Sequence, residues 1–237
     1  MTESLVLLPG FLADGRVFAD QISDLSRSHA VMVAPLIGES LTEMADAVLA
    51  VAPPKFAVAG HDLGASVATE ILRRAPGRVT RIALLSASAQ AEPPNAAAAR
   101  EPRLIKAKTG RYGEVLLEAL PSTALCEGPY RNAIRDHWLD MAMEAGLEIY
   151  LNQSRILQRR PDHQNVLRRA RIPALVIGGM ADTICPPRRQ EFIAQLMPRA
   201  DLVLIEKAGH LPMLEAPTTV SRALTTWLEA EAPFVLR

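Results

Sequence analysis

Short apolar runs alternate with segments of helical periodicity along most of this chain. Leu5–Leu8, Val31–Pro35, Phe56–Ala59, Ile82–Leu85, Ala174–Ile177 and Leu202–Ile205 are almost continuously apolar. Such runs are expected of strands covered on both faces in a parallel sheet. Between them, Ser40 and Glu43 form a capping box that opens a helix over Leu41–Val51, with Leu41, Met44, Ala45, Val48 and Leu49 on one face. Leu63–Ala75 reads as a second helix, closed by Arg73 and Arg74 and then by Pro76-Gly77. Pro187–Met197 and Pro217–Ala230 are two further amphipathic candidates. The alternation predicts a three-layer α/β fold with a mostly parallel six-stranded sheet, which binds ligands at the carboxyl ends of its strands.

The alternation stops between residues 92 and 165. Asn95–Arg100 is alanine-rich, Ile134, Trp138, Met141, Ala142 and Ala145 form a helical apolar stripe, and Glu148–Gln158 continues as helix. The chain therefore divides into a first part of an α/β core (1–91), a helical insertion (92–165) and a second part of the core (166–237). The insertion is placed to form a lid over the strand ends, or else an extra helical layer packed elsewhere.

Composition adds mainly exclusions. Among 237 residues, 26 Lys and Arg balance 26 Asp and Glu, and 49% are hydrophobic. A neutral chain of this kind argues against a nucleic-acid partner. No apolar run reaches the roughly 18–20 residues a membrane helix requires, and the start MTESLVLLPG has no basic segment of a signal peptide, so a cytoplasmic protein is expected. Cys126 and Cys185 have no metal-ligand spacing and are expected to be reduced thiols. There is no P-loop, no GxGxxG after the first strand and no HExxH, so no cofactor and no metal are implied. Arg159, Arg160, Arg168, Arg169 and Arg171 read as a solvated basic face, and Asp14 as a loop or helix cap.

The chemistry is carried by three segments. Gly60-His61-Asp62-Leu63-Gly64 follows an apolar strand and opens a helix, in the pattern of a strand-to-helix nucleophile elbow. Glycines there allow a tight turn and close helix–strand approach, and the central side chain stands exposed beside a helix N-terminus. Gly178-Gly179-Met180-Ala181-Asp182 places an acid after a later strand, and Lys207-Ala208-Gly209-His210 a histidine after the last. The order nucleophile, acid, histidine makes Asp62, Asp182 and His210 a candidate triad.

On these motifs, together with Leu8-Pro9-Gly10-Phe11, the chain resembles the α/β-hydrolase superfamily over essentially its whole length, and in particular its compact bacterial members. The resemblance implies an oxyanion hole made by the N–H groups of Leu63 and Phe11. Pro9 stands where a His-Gly pair is common in the family.

Most members carry Ser at the centre of the elbow, whereas this chain has Asp62. A serine must first lose its proton to histidine, whereas a carboxylate is ionised near neutral pH and can attack an sp³ carbon directly. Asp62 would then form an alkyl ester, hydrolysed by water that His210 activates while Asp182 orients His210. The Asp-nucleophile branches of the family are epoxide hydrolases and haloalkane dehalogenases. This elbow resembles both only partly, since their usual pattern has a Trp where this chain has Leu63; that Trp donates to a departing halide, so a dehalogenase is disfavoured. Epoxide hydrolases use lid tyrosines as proton donors, and Tyr112, Tyr130 and Tyr150, the three tyrosines of the chain, all fall in the insertion. With Trp138 they are the candidate substrate-binding residues. The His137-Trp138 pair resembles a fluoride-pocket motif of the family, although the helical stripe favours a core role for Trp138.

The expectation is a cofactor-independent hydrolase of small organic molecules, epoxide-hydrolase-like. Two alternatives stay open. One is a serine-type esterase or thioesterase scaffold in which Asp62 replaces the serine, naturally or by engineering. The other is a ligand-binding pseudohydrolase, against which the retained Asp182 and His210 argue.

Overall fold

Six of the apolar runs become strands of one all-parallel sheet. A computed structural model describes residues 3–230, so the last seven positions of the 166–237 segment lie outside the described residues. The strands are β1 (Leu5–Leu8), β2 (Val31–Val33), β3 (Phe56–His61), β4 (Val79–Leu85), β5 (Ala174–Gly179) and β6 (Ala200–Ile205), in the order β2-β1-β3-β4-β5-β6. The helices α1 (Ala19–Leu25), α2 (Leu41–Val51) and α3 (Leu63–Arg74) precede β4 or adjoin it in sequence. The helices α4 (Pro94–Lys106), α5 (Tyr112–Ala119), α6 (Arg131–Gln158) and α7 (Gln164–Arg169) separate β4 from β5. The last three are α8 (Pro187–Leu196), α9 (Pro212–Glu215) and α10 (Pro217–Glu229). Among the described residues no helix is long and apolar enough to cross a membrane.

Alternation along the strands builds a separate core on each face of the sheet. Leu5, Leu7, Ala57, Ala59, Leu85 and Ile177 face a core with α1 and α10. Val6, Leu8, Val58, Ile82, Leu84 and Val176 face the other, with α2, α3 and α8. Ser40 caps α2 as its spacing predicts, accepting from the Glu43 N–H at 3.2 Å while Glu43 reaches back to the Glu39 N–H. Strand β4 begins three residues earlier than the apolar run suggests. Arg81 hides its start, because its buried guanidinium is neutralised by Glu3 at 2.8 Å and donates to the Trp227 carbonyl. Strands β2 and β6 differ from the expectation of full burial: they are the two edges of the sheet, all three residues of β2 are only partly buried, and Leu202 of β6 is 37% exposed.

The insertion is helical, with two breaks. Gly146 (φ 84°, ψ 172°) interrupts α6, and Gly110 (φ 86°) lies in the turn between α4 and α5. The hydroxyl of Tyr112 donates to the Ala142 and Gly146 carbonyls at 2.6 and 3.2 Å, which supplies partners where the helix is broken.

Candidate active site

Sheet order decides which loops meet. The chain leaves β1 for one edge and returns to β3 on the other side of β1, so the carboxyl ends of β1 and β3 lie side by side. This is the switch point at which α/β sheets open a crevice. The β1 end supplies Phe11 and the β3 end supplies Asp62.

Close approach requires glycine on both sides of the elbow. A Cβ on Gly60 would run into the Gly64 carbonyl, and one on Gly64 into the Leu8 carbonyl of β1. Between them Asp62 adopts φ 47°, ψ −106°, a left-handed backbone that is rare for a residue with a side chain. Such strain is maintained only where the surroundings over-determine it. Here Asp62 N–H donates to the Leu85 carbonyl at 3.0 Å and Asp62 C=O accepts from Ser66 at 3.2 Å. The carboxylate projects to a cavity of about 370 Å³. Its Oδ2 accepts the Phe11 N–H at 3.3 Å. Leu63 is the first residue of α3, so its N–H has no intrahelical acceptor.

His210 lines the same cavity. Its Nδ1 bonds Asp182 Oδ2 at 3.0 Å, while Asp182 Oδ1 accepts the N–H groups of Ile184 and Cys185, each at 2.8 Å. Burial works against the His210 imidazolium, but the charge and hydrogen bond of Asp182, with the charge of Asp62, hold its pKa above the usual histidine value. Burial likewise works against the Asp182 carboxylate, and the nearby His210 and the two backbone donors outweigh it, lowering its pKa. Asp182 is therefore held as the carboxylate of the pair.

Several further residues support the site. His61 is buried and neutral, pushed down to about 4 by burial and by the neighbouring His210. Its Nε2 donates to the His210 carbonyl at 2.8 Å, tying the elbow to the histidine loop. Glu215 accepts from Cys126 N at 2.7 Å and Leu211 N at 3.0 Å, bracing that loop from beyond. Gln190 joins the β4 end to the acid loop through the Ala87 backbone and the Cys185 carbonyl. From α6, Gln153 accepts the Leu12 N–H at 2.8 Å, and Trp138 Nε1 donates to the Phe11 carbonyl at 3.3 Å. Gln153, Gln190 and Glu215 carry no sequence signal for these roles, because Gln153–Leu12, Gln190–Ala87 and Glu215–Cys126 each join elements far apart in the chain. His61 and Trp138 stand in patterns the sequence shows, but those patterns do not reveal their partners.

The four aromatic candidates of the insertion separate. Tyr150 and Trp138 line the cavity, and Tyr150 packs edge-on against Phe11 at 5.9 Å between centroids. Tyr112 does not line the cavity; its ring packs tilted against Tyr150 at 5.6 Å, with its hydroxyl committed to the break in α6. Tyr130 is 73% exposed and lies outside the cavity. Helical periodicity could not distinguish these positions, since each depends on how α6 is broken and set against the Phe11 loop.

Asp182, Cys185 and His210 place their donor atoms within 4.8 Å of one another. Two oxygens of Asp182 are already engaged, and the Cys185 thiol is pushed up by burial and then by Asp62 and Asp182. With both carboxylate oxygens of Asp182 already bonded, this trio suits a hydrogen-bonded dyad better than a metal centre.

A parallel α/β sheet with its elbow, acid and histidine at the ends of β3, β5 and β6 defines an α/β-hydrolase-fold hydrolase. The chain belongs to the alpha/beta hydrolase family, whose model matches residues 5–223. Among similar proteins is the pimeloyl-[acyl-carrier protein] methyl ester esterase of Neisseria meningitidis serogroup C, 25% identical over 226 residues that cover 90% of this chain and 88% of that one. Solved structures that share the fold include a thermophilic esterase from Thermogutta terrifontis (TM-score 0.85, 24% identity, covering 96% of this chain and 90% of that one). The enol-lactonase from Burkholderia xenovorans LB400 is also similar (TM-score 0.86, 20% identity, 97% and 92%).

Proposed function

We propose that this hydrolase opens a small epoxide through a covalent ester of Asp62. The observation that carries the reading is the placement of the Asp62 carboxylate: it stands at a strained elbow on the cavity wall with one oxygen on the Phe11 N–H. That leaves the other oxygen for attack on an sp³ carbon. As the epoxide C–O bond breaks, Tyr150 gives the leaving oxygen its proton. Burial raises the Tyr150 pKa, which keeps it a protonated donor at neutral pH. His210 then takes a proton from water, and the hydroxide attacks the ester carbonyl. The oxyanion sits on the Phe11 and Leu63 N–H groups. On collapse, the departing alkoxide takes the proton from His210 and leaves as the diol. The carboxylic acid remaining on Asp62 returns its proton to Tyr150 through solvent. Helices α4–α6 serve as the lid that shapes the substrate space, and their residues Arg100, Glu118, Trp138 and Tyr150 border it.

Single turnover of an epoxide in ¹⁸O-water tests this. Label should enter the Asp62 carboxylate first and leave the first-turnover diol unlabelled. Label in that first diol rejects the covalent step.

A second reading is favoured by the relatives, which are named as an ester hydrolase and, among the structures, an esterase and a lactonase. On that reading the scaffold is that of an esterase with Asp62 in the place of serine, and Asp62→Ser creates hydrolysis of aryl esters.

A further inference from the structure

The cavity beside Asp62 carries more positive charge than its own acids neutralise. Four arginines line it: Arg100, Arg103, Arg160 and Arg189. Two are paired on the spot. Arg100 makes two bonds of 2.7 Å to Glu92, and Arg103 Nε lies 3.5 Å from Glu118. Arg160 and Arg189 make no ion pair among the described residues. Each is held by one backbone carbonyl: Arg160 Nε donates to Gln90 at 3.1 Å, and Arg189 Nη1 to Ile184 at 3.1 Å. The remaining N–H groups of both side chains have no partner among the described residues.

Two further observations indicate that this surplus serves a ligand. Arg189 sits in the first turn of α8, where a cation opposes the helix dipole, so helix stability does not account for it. The Cys185 thiol, on the same cavity wall, is pushed up by burial and by Asp62 and Asp182, and is pulled the other way by Arg189 and Arg160. Both guanidinia are therefore within electrostatic range of the reacting centre.

The geometry points to a substrate that carries a carboxylate in addition to its reacting carbon, bound by Arg160 and Arg189. A guanidinium fork matches a carboxylate in shape and charge, and the cavity of about 370 Å³ suits a small acid. The same pair offsets the repulsion between that carboxylate and Asp62. The inference rests on the cavity being the substrate site of the Asp62 chemistry proposed above, and it names the class of substrate.

Calorimetric titration with unreactive hexanoate and hexanamide tests it. Hexanoate should bind about tenfold or more tighter than hexanamide. Arg160→Gln and Arg189→Gln should each remove about tenfold of the hexanoate affinity and leave that of hexanamide unchanged, with Arg189→Lys retaining part of it. Arg27→Gln, an exposed arginine outside the cavity, should change neither. Equal affinity for acid and amide, no hexanoate binding at millimolar concentration, or equal loss of both ligands in variants with unchanged thermal midpoints would overturn the proposal. Hexanoate binding needs no turnover, so its failure leaves the covalent mechanism standing, and a failed isotope experiment leaves the carboxylate site standing.

Discussion

The backbone N–H of Phe11 donates to a side-chain oxygen of Asp62 at 3.3 Å, across fifty-one positions of sequence. In an Asp-nucleophile mechanism that oxygen becomes the carbonyl oxygen of the ester and then the oxyanion. The donor is thus already aimed at the atom where charge develops, the arrangement that makes such holes effective.

Asp62→Asn should lower epoxide turnover by about a thousandfold or more, because an amide oxygen is a far weaker nucleophile than a carboxylate. Stopped-flow product release measures this. An effect under tenfold would remove Asp62 from the nucleophile role.

The pH profile follows from His210. Water activation needs the neutral imidazole, so kcat should rise with pH through a midpoint above the ordinary 6.5, since the folded-state pKa is raised. Stability runs in the opposite sense. A raised pKa means the protonated ring is favoured by the fold, so this contribution is complete below 6.5 and is lost as pH rises through the folded value. His210→Gln should flatten both dependences in rate and thermal-melt series.

Gln153→Leu removes the acceptor of the Leu12 N–H, on a residue with φ 53°. The Phe11 N–H then loses its fixed aim. Turnover should fall by about tenfold with KM little changed, as expected for an interaction used mainly in the transition state. A change confined to KM would place Gln153 in substrate binding instead.

The two adjoining tyrosines should respond differently. Tyr150→Phe should slow epoxide opening by about a hundredfold, the range of a general-acid contribution. Tyr112→Phe should leave the rate intact and lower stability by about 1 kcal/mol, because the carbonyls at the break in α6 lose their donor. Equal rate losses in both variants would contradict this assignment.

What the chain determines locally was legible in its sequence. Uninterrupted apolar runs specify buried parallel strands, and the capping box at Ser40 and Glu43 specifies a helix start. The glycines about Asp62 mark a turn that only small residues allow. These signals are legible because each depends on neighbours a few positions away. Tertiary structure decided the rest. Arg81 looks like a break in β4 until Glu3 and Trp227 come to satisfy it. Leu202 looks like core until its strand proves to be the sheet edge. Tyr112 and Tyr150 are equivalent in composition, yet the break at Gly146 commits one hydroxyl to the backbone and leaves the other tyrosine on the cavity wall. Gln153, Gln190 and Glu215 acquire their roles only when loops remote in sequence bring the N–H groups of Leu12, Ala87 and Cys126 to them. The physical reason is that burial and hydrogen-bond satisfaction belong to the packed chain as a whole, whereas periodicity and turn chemistry belong to short stretches of it.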